Sequence, residues 1–422
     1  MKRKSATAVA EVGPLSLDDL KPLLPDLSRG LVPSGALRVR GITADVAEVR
    51  DGMIFVQTVA DAAALEQAVR AGAVAIVSEG APQPECSLPW LRVQDALRVL
   101  GHVASRFAAE PSRRLEVSVF AGDSLRSDML KAAALIHVRD DGAMVEERIA
   151  RDSRSLGSVS LQQRMAKHAS NHGRSVLLEC RAVDLICGRL EGVTMAAAVI
   201  GLSEHALQAD VEVAECVLRR LPADAVALLE VGNPFTPRLA LTTAALVVTW
   251  GFNAAADVRA TVLRRDRRGA LLQVQTPVGA CELELAALDE NSQRAALAAL
   301  AHAAVMGMAP ERAAARLQRK VASSEALERM PLPEGFDVWT TQARSREGLA
   351  RALVGMHAFT SGRVLLVPPH LAETASERAE QIFATLDAAE RGDGVLLVLE
   401  GSGEAERSCV REWFLRGLTD VA

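Results

Sequence analysis

The segment Leu115–Met129, LEVSVFAGDSLRSDM, has the strand, loop and helix pattern of a phosphate-binding loop, but not all of the residues that such a loop needs. Its apolar start, Leu115–Phe120, predicts a strand, Ala121–Gly122 begins a loop, and a helix is predicted to start near Ser127. A strand followed by a glycine loop and a helix is the context in which backbone N–H groups bind nucleotide phosphates. The chemistry that this context predicts is nucleotide binding or phosphoryl transfer.

Two positions of this segment carry residues that do not suit a phosphate-binding loop. Gly122 is present, but Leu125 stands where a second glycine is needed and Arg126 stands where a lysine is needed. The planar guanidinium group of arginine is too wide to replace an ammonium group inside a glycine cradle. Ser127 keeps the hydroxyl group that would bind Mg²⁺. We therefore interpret Gly122, Arg126 and Ser127 as part of a vestigial nucleotide site.

The charges around the loop support the same interpretation. Asp123 and Asp128 place two carboxylates where phosphates would lie. One like-charge contact at 4 Å costs on the order of 4 kcal/mol at an effective dielectric constant of 20. Arg126 and Ser127 could still hold a lone anion at the helix N-terminus. We favour the alternative in which Ser127 is the N-cap residue of the helix.

Length and composition describe a globular protein of two or three domains. The chain has 422 residues, of which 49% are hydrophobic and 24% are charged. A formal net charge of −5 gives no electrostatic reason to expect a nucleic-acid partner. The longest apolar runs, such as Leu241–Trp250, are shorter than the roughly 20 residues that a membrane helix needs. We therefore expect a cytoplasmic protein with no membrane insertion.

Neither the cysteines nor the histidines predict a metal site. The six cysteines contain no C-x-x-C pair, which is typical of scattered reduced thiols. His168 and His172 have an i, i+4 spacing that could bind zinc on one face of a helix. No third ligand stands at a recognisable spacing, so we favour two solvated histidines at a helix end. The sequence therefore predicts no metal.

Alternating strand and helix patterns predict an α/β fold. The first block, at 37–112, alternates short strands with helices, as in an α/β layer. The central block has buried strands, among them Ser175–Cys180, which require a mostly parallel sheet. Polar alternation around Asp257–Leu288 predicts a small antiparallel appendage, which the alanine-rich helices Ser292–Met308 and Pro310–Ser323 follow. A third block alternates again, with helices predicted at 345–359, at 376–391 and at the end of the chain.

Five segments in collinear order carry a resemblance to a known family. They are GITAD (Gly41–Asp45), EQAVRAGAVAIVSE (Glu66–Glu79), ECRAVDL (Glu179–Leu185), GRLEGV (Gly188–Val193) and ERM (Glu328–Met330). Together they resemble the Mur ligases, and among these the branch that adds the third amino acid to UDP-N-acetylmuramoyl-dipeptide. The resemblance implies an α/β protein of three domains. These are an N-terminal uridine-binding-like domain, a central parallel-sheet P-loop-like domain with a small antiparallel appendage, and a truncated Rossmann-like C-terminal domain.

The resemblance and the strand pattern together set the expected domain boundaries. The C-terminal block is shorter than a full C-terminal domain of the family. We expect a loosely ordered segment at 1–36, a Mur-ligase N-terminal-like domain at 37–112, a central degenerate ATPase-like domain at 113–330, and the shortened C-terminal domain at 331–422.

Residues that the family's chemistry requires are missing from this chain. Mur ligases use ATP and Mg²⁺ to activate a carboxylate as an acyl phosphate, and a carbamoylated lysine anchors a second Mg²⁺. That lysine should lie near Ala214–Arg220, but no lysine occurs between Lys167 and Lys320. Glu179 persists at the position of a Mg²⁺-binding glutamate. There we favour an ordinary acidic residue at a strand end over a metal ligand, and count Glu179 in the vestigial site.

Some residues persist on the substrate side of the resemblance. Thr43, Asp45 and Arg189 stand at positions that the resemblance assigns to the substrate. The serine–arginine pair that is expected after Asp45 is replaced by Val46 and Ala47. We therefore interpret Thr43, Asp45 and Arg189 as a vestigial substrate site.

The joint loss of these groups predicts a catalytically inactive protein that needs no cofactor and has no catalytic residue. It would act as a scaffold or regulator by binding proteins, and its expected partners are enzymes of peptidoglycan or cell-envelope synthesis. The alternative is a divergent ATP-dependent carboxylate–amine ligase that uses ATP and Mg²⁺ with Arg126, Ser127, Glu179 and Arg189 in altered roles. A third hypothesis is a non-catalytic sensor of a cell-wall precursor or a nucleotide.

Overall fold

The structure is a computed structural model, and it divides the chain into two compact units. The first unit combines Met1–Leu130 with His137–Val248, and the second combines Lys131–Ile136 with Thr249–Ala422. The helices predicted at 345–359, at 376–391 and at the end of the chain lie outside the described residues. The described residues are 13–23, 37–84, 86–123, 125–138, 143–146, 157–266, 269–286, 290–318, 327–330, 338–341, 363–367 and 394–399. Among them, no helix has the length and apolar character needed to span a membrane.

The first unit begins with an α/β layer, as the alternating pattern predicts. Strands β3, β4, β5 and β6 form a parallel sheet in this order, called the N-terminal sheet below. Asp61 and Asp95 cap the two longer helices by accepting hydrogen bonds from backbone N–H groups. The elements are β1 (Leu15–Ser16), α1 (Leu17–Leu20), β2 (Arg38–Val39), β3 (Gly41–Thr43), β4 (Met53–Gln57), α2 (Ala62–Arg70), β5 (Ala75–Ser78), β6 (Trp90–Arg92) and α3 (Ala96–Phe107).

The same unit continues into a second parallel sheet, called the central sheet below. Its strands lie in the order β11, β10, β7, β9, β8, and their apolar side chains form one buried core with the helices that connect them. The elements are β7 (Glu116–Gly122), α4 (Leu125–His137), β8 (Met144–Glu146), α5 (Ser158–Ser170), β9 (Ser175–Cys180), α6 (Ala182–Ile186), β10 (Ala197–Gly201), α7 (Gln208–Arg219), β11 (Val226–Glu230), α8 (Thr236–Ala240) and β12 (Leu246–Gly251).

The loop region differs from the sequence prediction in two ways. Strand β7 runs through Gly122, because Gly122 pairs with Gly201 at the end of the β7–β10 ladder. Helix α4 begins at Leu125 and not near Ser127, because the Asp123 carboxylate accepts a hydrogen bond from the Leu125 N–H group. The loop between strand and helix is therefore shorter than predicted.

The predicted pair of helix-end histidines also changes. Helix α5 ends at Ser170, and His172 lies beyond it with a left-handed φ of +62°. His168 remains in the helix, where its Nε2 atom lies 3.1 Å from the carbonyl oxygen of Ser175. The two histidines are therefore not on one face of a helix, and the i, i+4 spacing does not describe a zinc site.

The second unit contains the predicted antiparallel appendage and the C-terminal sheet. Strands β13, β14 and β15 form an antiparallel meander, with a register shift between Val262 and Arg264. The alanine-rich helices are shorter at their C-terminal ends than predicted. In the C-terminal sheet, β17, β19 and β18 are parallel and β16 is antiparallel. The elements are β13 (Val258–Asp266), β14 (Gly269–Thr276), β15 (Gly279–Leu285), α9 (Glu290–Val305), α10 (Pro310–Leu317), β16 (Leu327–Met330), β17 (Val338–Thr341), β18 (Arg363–Val367) and β19 (Gly394–Leu399).

Candidate functional site

The predicted loop joins the end of β7 to the first turn of α4. At Gly122 the backbone lies closest to a neighbouring strand. Gly122 has a φ of +123°, a conformation that residues with a Cβ atom rarely adopt. A Cβ atom at this position would collide with the carbonyl oxygen of Gly201 and lie 2.7 Å from its carbonyl carbon. Gly122 is therefore required for the close approach of β7 and β10, whether or not the loop binds a phosphate.

The Asp123 carboxylate accepts hydrogen bonds from two backbone N–H groups, one at the start of α4 and one after β10. Its Oδ1 atom accepts a hydrogen bond of 3.0 Å from the N–H group of Leu125. Its Oδ2 atom accepts a hydrogen bond of 2.6 Å from the N–H group of Ser203, which follows β10. A helix N-terminus favours negative charge, and here the protein supplies that charge itself.

The guanidinium group of Arg126 turns back onto the loop instead of pointing into open space. Its Nη1 atom donates hydrogen bonds to the carbonyl oxygens of Gly122 and Asp123, at 2.7 and 2.6 Å. Its Nε atom forms an ion pair of 3.1 Å with Oε1 of Glu179, and the side chain is only 16% exposed. The positive charge that a phosphate would need is therefore already used inside the loop.

Ser127 and Glu179 complete the same cluster. The Ser127 hydroxyl group donates a hydrogen bond of 2.5 Å to Oε1 of Glu179, which lies in β9 and is buried. The prediction that Ser127 is the N-cap residue is wrong, since it lies inside α4 and its hydroxyl group contacts a neighbouring strand. The structure thus places Gly122, Arg126, Ser127 and Glu179 in one cluster of contacts. Within the described part of the chain, no three His, Cys, Asp or Glu side chains are grouped so that they could hold a metal ion.

Sequence reasoning missed Asp210, which lies in the first turn of α7. Burial raises the pKa of its carboxyl group, the negative charge of Asp123 raises it further, and Arg126 opposes both effects. Asp210 follows β10, the strand next to β7. The carboxyl ends of neighbouring parallel strands form the usual binding edge of such sheets, so the order of the strands was the signal that could have identified it.

The predicted substrate residues of the N-terminal sheet bind within their own loop. Thr43 is buried, donates a hydrogen bond of 3.1 Å to the Glu48 carboxylate and accepts one of 3.0 Å from the Asp45 N–H group. The Asp45 carboxylate accepts a hydrogen bond of 2.9 Å from the N–H group of Ala47. The structure therefore uses Thr43 and Asp45 in local contacts that shape the turn after β3.

Arg189 is buried beside the carboxylate of Asp184. Its Nη1 atom lies 3.2 Å from the Asp184 carboxylate, and the two side chains are 3% and 2% exposed. Burial raises the pKa of the neighbouring Cys180 thiol to about 12, and the charge of Asp184 contributes to this. Arg189 therefore neutralises a buried carboxylate of the protein, and Cys180 is held as an unreactive thiol.

Comparisons with known proteins converge on one group. No family model matches the chain. The chain is 22% identical over 362 residues to the UDP-N-acetylmuramoyl-L-alanyl-D-glutamate–2,6-diaminopimelate ligase of Listeria monocytogenes, covering 79% of this chain and 73% of that protein. It is 25% identical over 394 residues to the ligase of the same name from Halalkalibacterium halodurans, covering 85% and 80%.

A solved structure shares the fold. A structure of a UDP-N-acetylmuramoyl-L-alanyl-D-glutamate–2,6-diaminopimelate ligase matches with a TM-score of 0.72 at 15% identity. The match covers 92% of this chain and 93% of that one. The arrangement of parallel sheets and the small antiparallel appendage therefore agree with the three-domain α/β fold that the sequence predicts.

Proposed function

Because this chain is a Mur-ligase-like protein and a distant relative of the diaminopimelate ligases, we propose that it is catalytically inactive and acts by binding other proteins. Its relatives are named for a ligation on UDP-N-acetylmuramoyl-L-alanyl-D-glutamate. On that basis we place its role in the synthesis of peptidoglycan or another part of the cell envelope, as a scaffold or regulator.

The observation that carries the proposal is that the phosphate loop is filled by its own side chains. Nucleotide-dependent ligation needs free backbone donors and a free cation to stabilise the phosphoryl group that is transferred. The Asp123 carboxylate holds the N–H groups of Leu125 and Ser203, and Arg126 holds two carbonyl oxygens. A nucleotide would have to displace both sets of hydrogen bonds.

The state of the metal position supports the same proposal. A carboxylate that binds Mg²⁺ must offer free oxygen atoms. Oε1 of Glu179 lies 3.1 Å from Arg126 and accepts the hydrogen bond of Ser127. Ser127 and Glu179, the two residues that would assist a metal ion, therefore contact each other. The charge of Glu179 is balanced by the guanidinium group of Arg126.

Exposed apolar side chains on one part of the first unit support a role in protein binding. Ile186, Leu207 and Leu241 are 74%, 72% and 89% exposed. They lie at α6, at the start of α7 and after α8, and α7 packs against both of the other helices. Large apolar side chains exposed on helices that pack together are candidates for a protein interaction site.

The first test is thermal unfolding with and without millimolar Mg-ATP. A ligand at 100 times its Kd adds about 2.7 kcal/mol to the free energy of unfolding, which corresponds to a shift of roughly 5–11 °C for a unit of 150–250 residues. We expect no shift here, with the Listeria monocytogenes ligase as the positive control. A clear shift would contradict the argument that the loop is closed to nucleotides, and ATP-dependent amide ligation by the purified protein would overturn the proposal of inactivity.

The second test addresses binding. We expect the purified chain to bind a purified muramoyl-peptide ligase from the same cell, measured by biolayer interferometry. The double substitution Ile186→Asp and Leu241→Asp removes apolar surface without touching the core, so it should weaken binding while leaving thermal stability unchanged. Wild-type affinity in this variant contradicts the assignment of the surface, and the absence of binding to every such ligase contradicts the scaffold role.

The alternative of a divergent ligase rests on the fact that Arg126, Ser127 and Glu179 do lie together. It requires ATP and Mg²⁺, and it predicts that Arg126→Ala abolishes both nucleotide affinity and activity. The sensor alternative predicts a saturable thermal shift with a UDP-muramoyl peptide and no turnover. The thermal unfolding assay therefore separates the scaffold from the other two hypotheses, and a turnover assay separates the divergent ligase from the sensor.

A further inference from the structure

The segment Gly188–Thr194 meets helix α3 of the N-terminal part with no space between them. Gly101 of α3 is buried, and a Cβ atom there would collide with the Cβ atom of Glu191 and lie 2.6 Å from its carbonyl oxygen. Gly192 has a φ of +73°, and a Cβ atom there would lie 2.5 Å from the carbonyl oxygen of Gly101. The two backbones therefore touch where glycines allow it.

The carboxylate of Glu191 contacts residues from both sides of this junction. Its Oε1 atom lies 2.6 Å from Nη2 of Arg220, which follows α7 of the central sheet. Its Oε2 atom lies 4.0 Å from Nε2 of His102, which belongs to α3, and burial lowers the pKa of that imidazole, so the ring is uncharged at neutral pH. The Glu191 side chain is 14% exposed, so its ion pair with Arg220 is partly shielded from solvent and less screened than a surface pair.

Two partly buried hydrogen bonds hold the same segment. The Gln162 Nε2 atom of α5 donates a hydrogen bond of 3.1 Å to the carbonyl oxygen of Gly192. The Thr194 N–H group donates one of 3.0 Å to the hydroxyl group of Ser112, in the turn that leads into the central sheet. Val159 of α5 packs against the core of the N-terminal sheet, so this helix also contacts both sides.

The connection between the two sheets is held in a strained conformation. Ala109 and Glu110 both have left-handed φ values, of +59° and +50°, which residues other than glycine rarely adopt. The Glu110 N–H group donates a hydrogen bond of 2.8 Å to the Ser105 carbonyl oxygen. Its carboxylate forms ion pairs with Arg106 and Arg113, at 3.6 and 3.4 Å. Such strain persists only where the surrounding contacts fix the backbone.

We propose that the segment Gly188–Thr194 is a latch that fixes the N-terminal sheet to the central sheet, so that the two sheets open and unfold as one body. The latch does not depend on the proposed function, because none of its contacts involves the phosphate loop. Its consequence for binding is that a partner meets both sheets as one rigid surface.

The test is native-state hydrogen exchange on the full chain, with denaturant. We expect the slowest amides of β4 and β5 to exchange at the same rate, and with the same denaturant dependence, as the slowest amides of β7 and β10, because both require the same global opening. The latch is contradicted if, in the wild-type protein, the slowest amides of the N-terminal sheet exchange at least about tenfold faster than those of the central sheet, because they would then exchange through a separate opening.

Two variants sharpen the test, with a matched control. Gly101→Val forces a side chain into the junction. Glu191→Gln removes only the negative charge that pairs with Arg220. We expect each to make the N-terminal amides exchange faster than the central ones, at least about tenfold for Gly101→Val. Glu66→Gln, on the exposed helix α2, should leave the ratio unchanged. If Gly101→Val does not fold, Glu191→Gln decides, and an unchanged ratio in the folded variants contradicts the latch.

Discussion

The Nε atom of Arg126 lies 3.1 Å from Oε1 of Glu179, and this ion pair joins the first turn of α4 to the end of β9. The side chains are 16% and 6% exposed, so each charge depends on the other for neutralisation. Ser127 donates a hydrogen bond to the same oxygen atom. Arg126, Ser127 and Glu179 therefore connect helix α4 to strand β9. Their substitution can be tested by its effect on the free energy of unfolding.

Replacing Glu179 by glutamine should destabilise the fold. Glu179→Gln removes the carboxylate that pairs with the largely buried guanidinium group of Arg126, and removing one partner of such a pair costs about 2 kcal/mol or more. The free energy of unfolding, measured by urea denaturation, should fall by that amount. A protein in which Glu179 served a bound metal ion would instead gain stability from the removal of an unneutralised carboxylate.

The matched control for Glu179 is an exposed ion pair. Arg70 and Glu66 form an i, i+4 pair on α2, with side chains that are 75% and 64% exposed. Surface pairs of this kind contribute about 0.5 kcal/mol, so Glu66→Gln should change the free energy of unfolding by no more than that. Equal losses in the two variants would show that burial of the loop pair is unimportant.

Replacing Gly122 by alanine should cost more than backbone strain alone. Gly122→Ala combines a positive φ with a collision against the Gly201 carbonyl group. Overpacking of this kind costs about 1–3 kcal/mol, in addition to about 1 kcal/mol for the conformation. Gly232→Ala is the control, since Gly232 has a φ of +89° and nothing within 4 Å of an added Cβ atom. The comparison of urea midpoints separates collision from strain, and similar midpoints would refute the close approach.

Asp210→Asn should stabilise the protein at neutral pH. Because the pKa of Asp210 is raised above its ordinary value of 3.8, the folded state binds the proton more tightly than the unfolded state. The stability that this supplies is complete below pH 3.8 and is lost as the pH rises through the folded-state pKa. Asparagine removes the buried charge and its repulsion with Asp123, so the melting temperature should rise at pH 7 and match the wild type near pH 3.

Asp224→Asn is the control for that measurement. Asp224 is exposed, and its substitution changes the net charge by the same amount as Asp210→Asn. It should leave the melting temperature unchanged at both pH values. A gain as large as that of Asp210→Asn would attribute the effect to net charge and not to the contact with Asp123.

Thiol reactivity should follow burial. Burial raises the pKa of the Cys180 thiol to about 12, whereas Cys187 is exposed. Since the thiolate is the reactive form, iodoacetamide at pH 8 should modify Cys187 quickly and Cys180 only after unfolding, as read by peptide mass spectrometry. Cys187→Ser should remove the fast phase. Early modification of Cys180 in the folded protein would contradict its burial.

The sequence predicted those parts of the fold that depend on local patterns. The apolar run Ser175–Cys180 matches β9 at both ends, because a fully buried strand between polar loops leaves a clear signal. The end of β7 was missed, because Gly122 is held in the strand by its pairing with Gly201 on another strand. Local spacing cannot report a contact that forms only when the sheet assembles.

The site followed the same rule. The residue types that lie together, Arg126, Ser127 and Glu179, were predicted from the motif and the family resemblance. Their roles depend on contacts between distant parts of the chain: Ser127 bonds to Glu179 across 52 positions, and Asp123 bonds to Ser203 across 80. Asp123 was interpreted as a repulsive charge, whereas the structure makes it the acceptor that fills the loop.

The carboxylate of Asp123 also constrains how this chain can change. A lysine at position 126 would leave Asp123 on the N–H groups of Leu125 and Ser203. A glycine at position 125 would empty the buried site where Leu125 packs beside Gly201, and cavities of that size cost about 2–5 kcal/mol. On the proposed function, neither single substitution would by itself produce a loop that binds a nucleotide, and the second would also destabilise the fold.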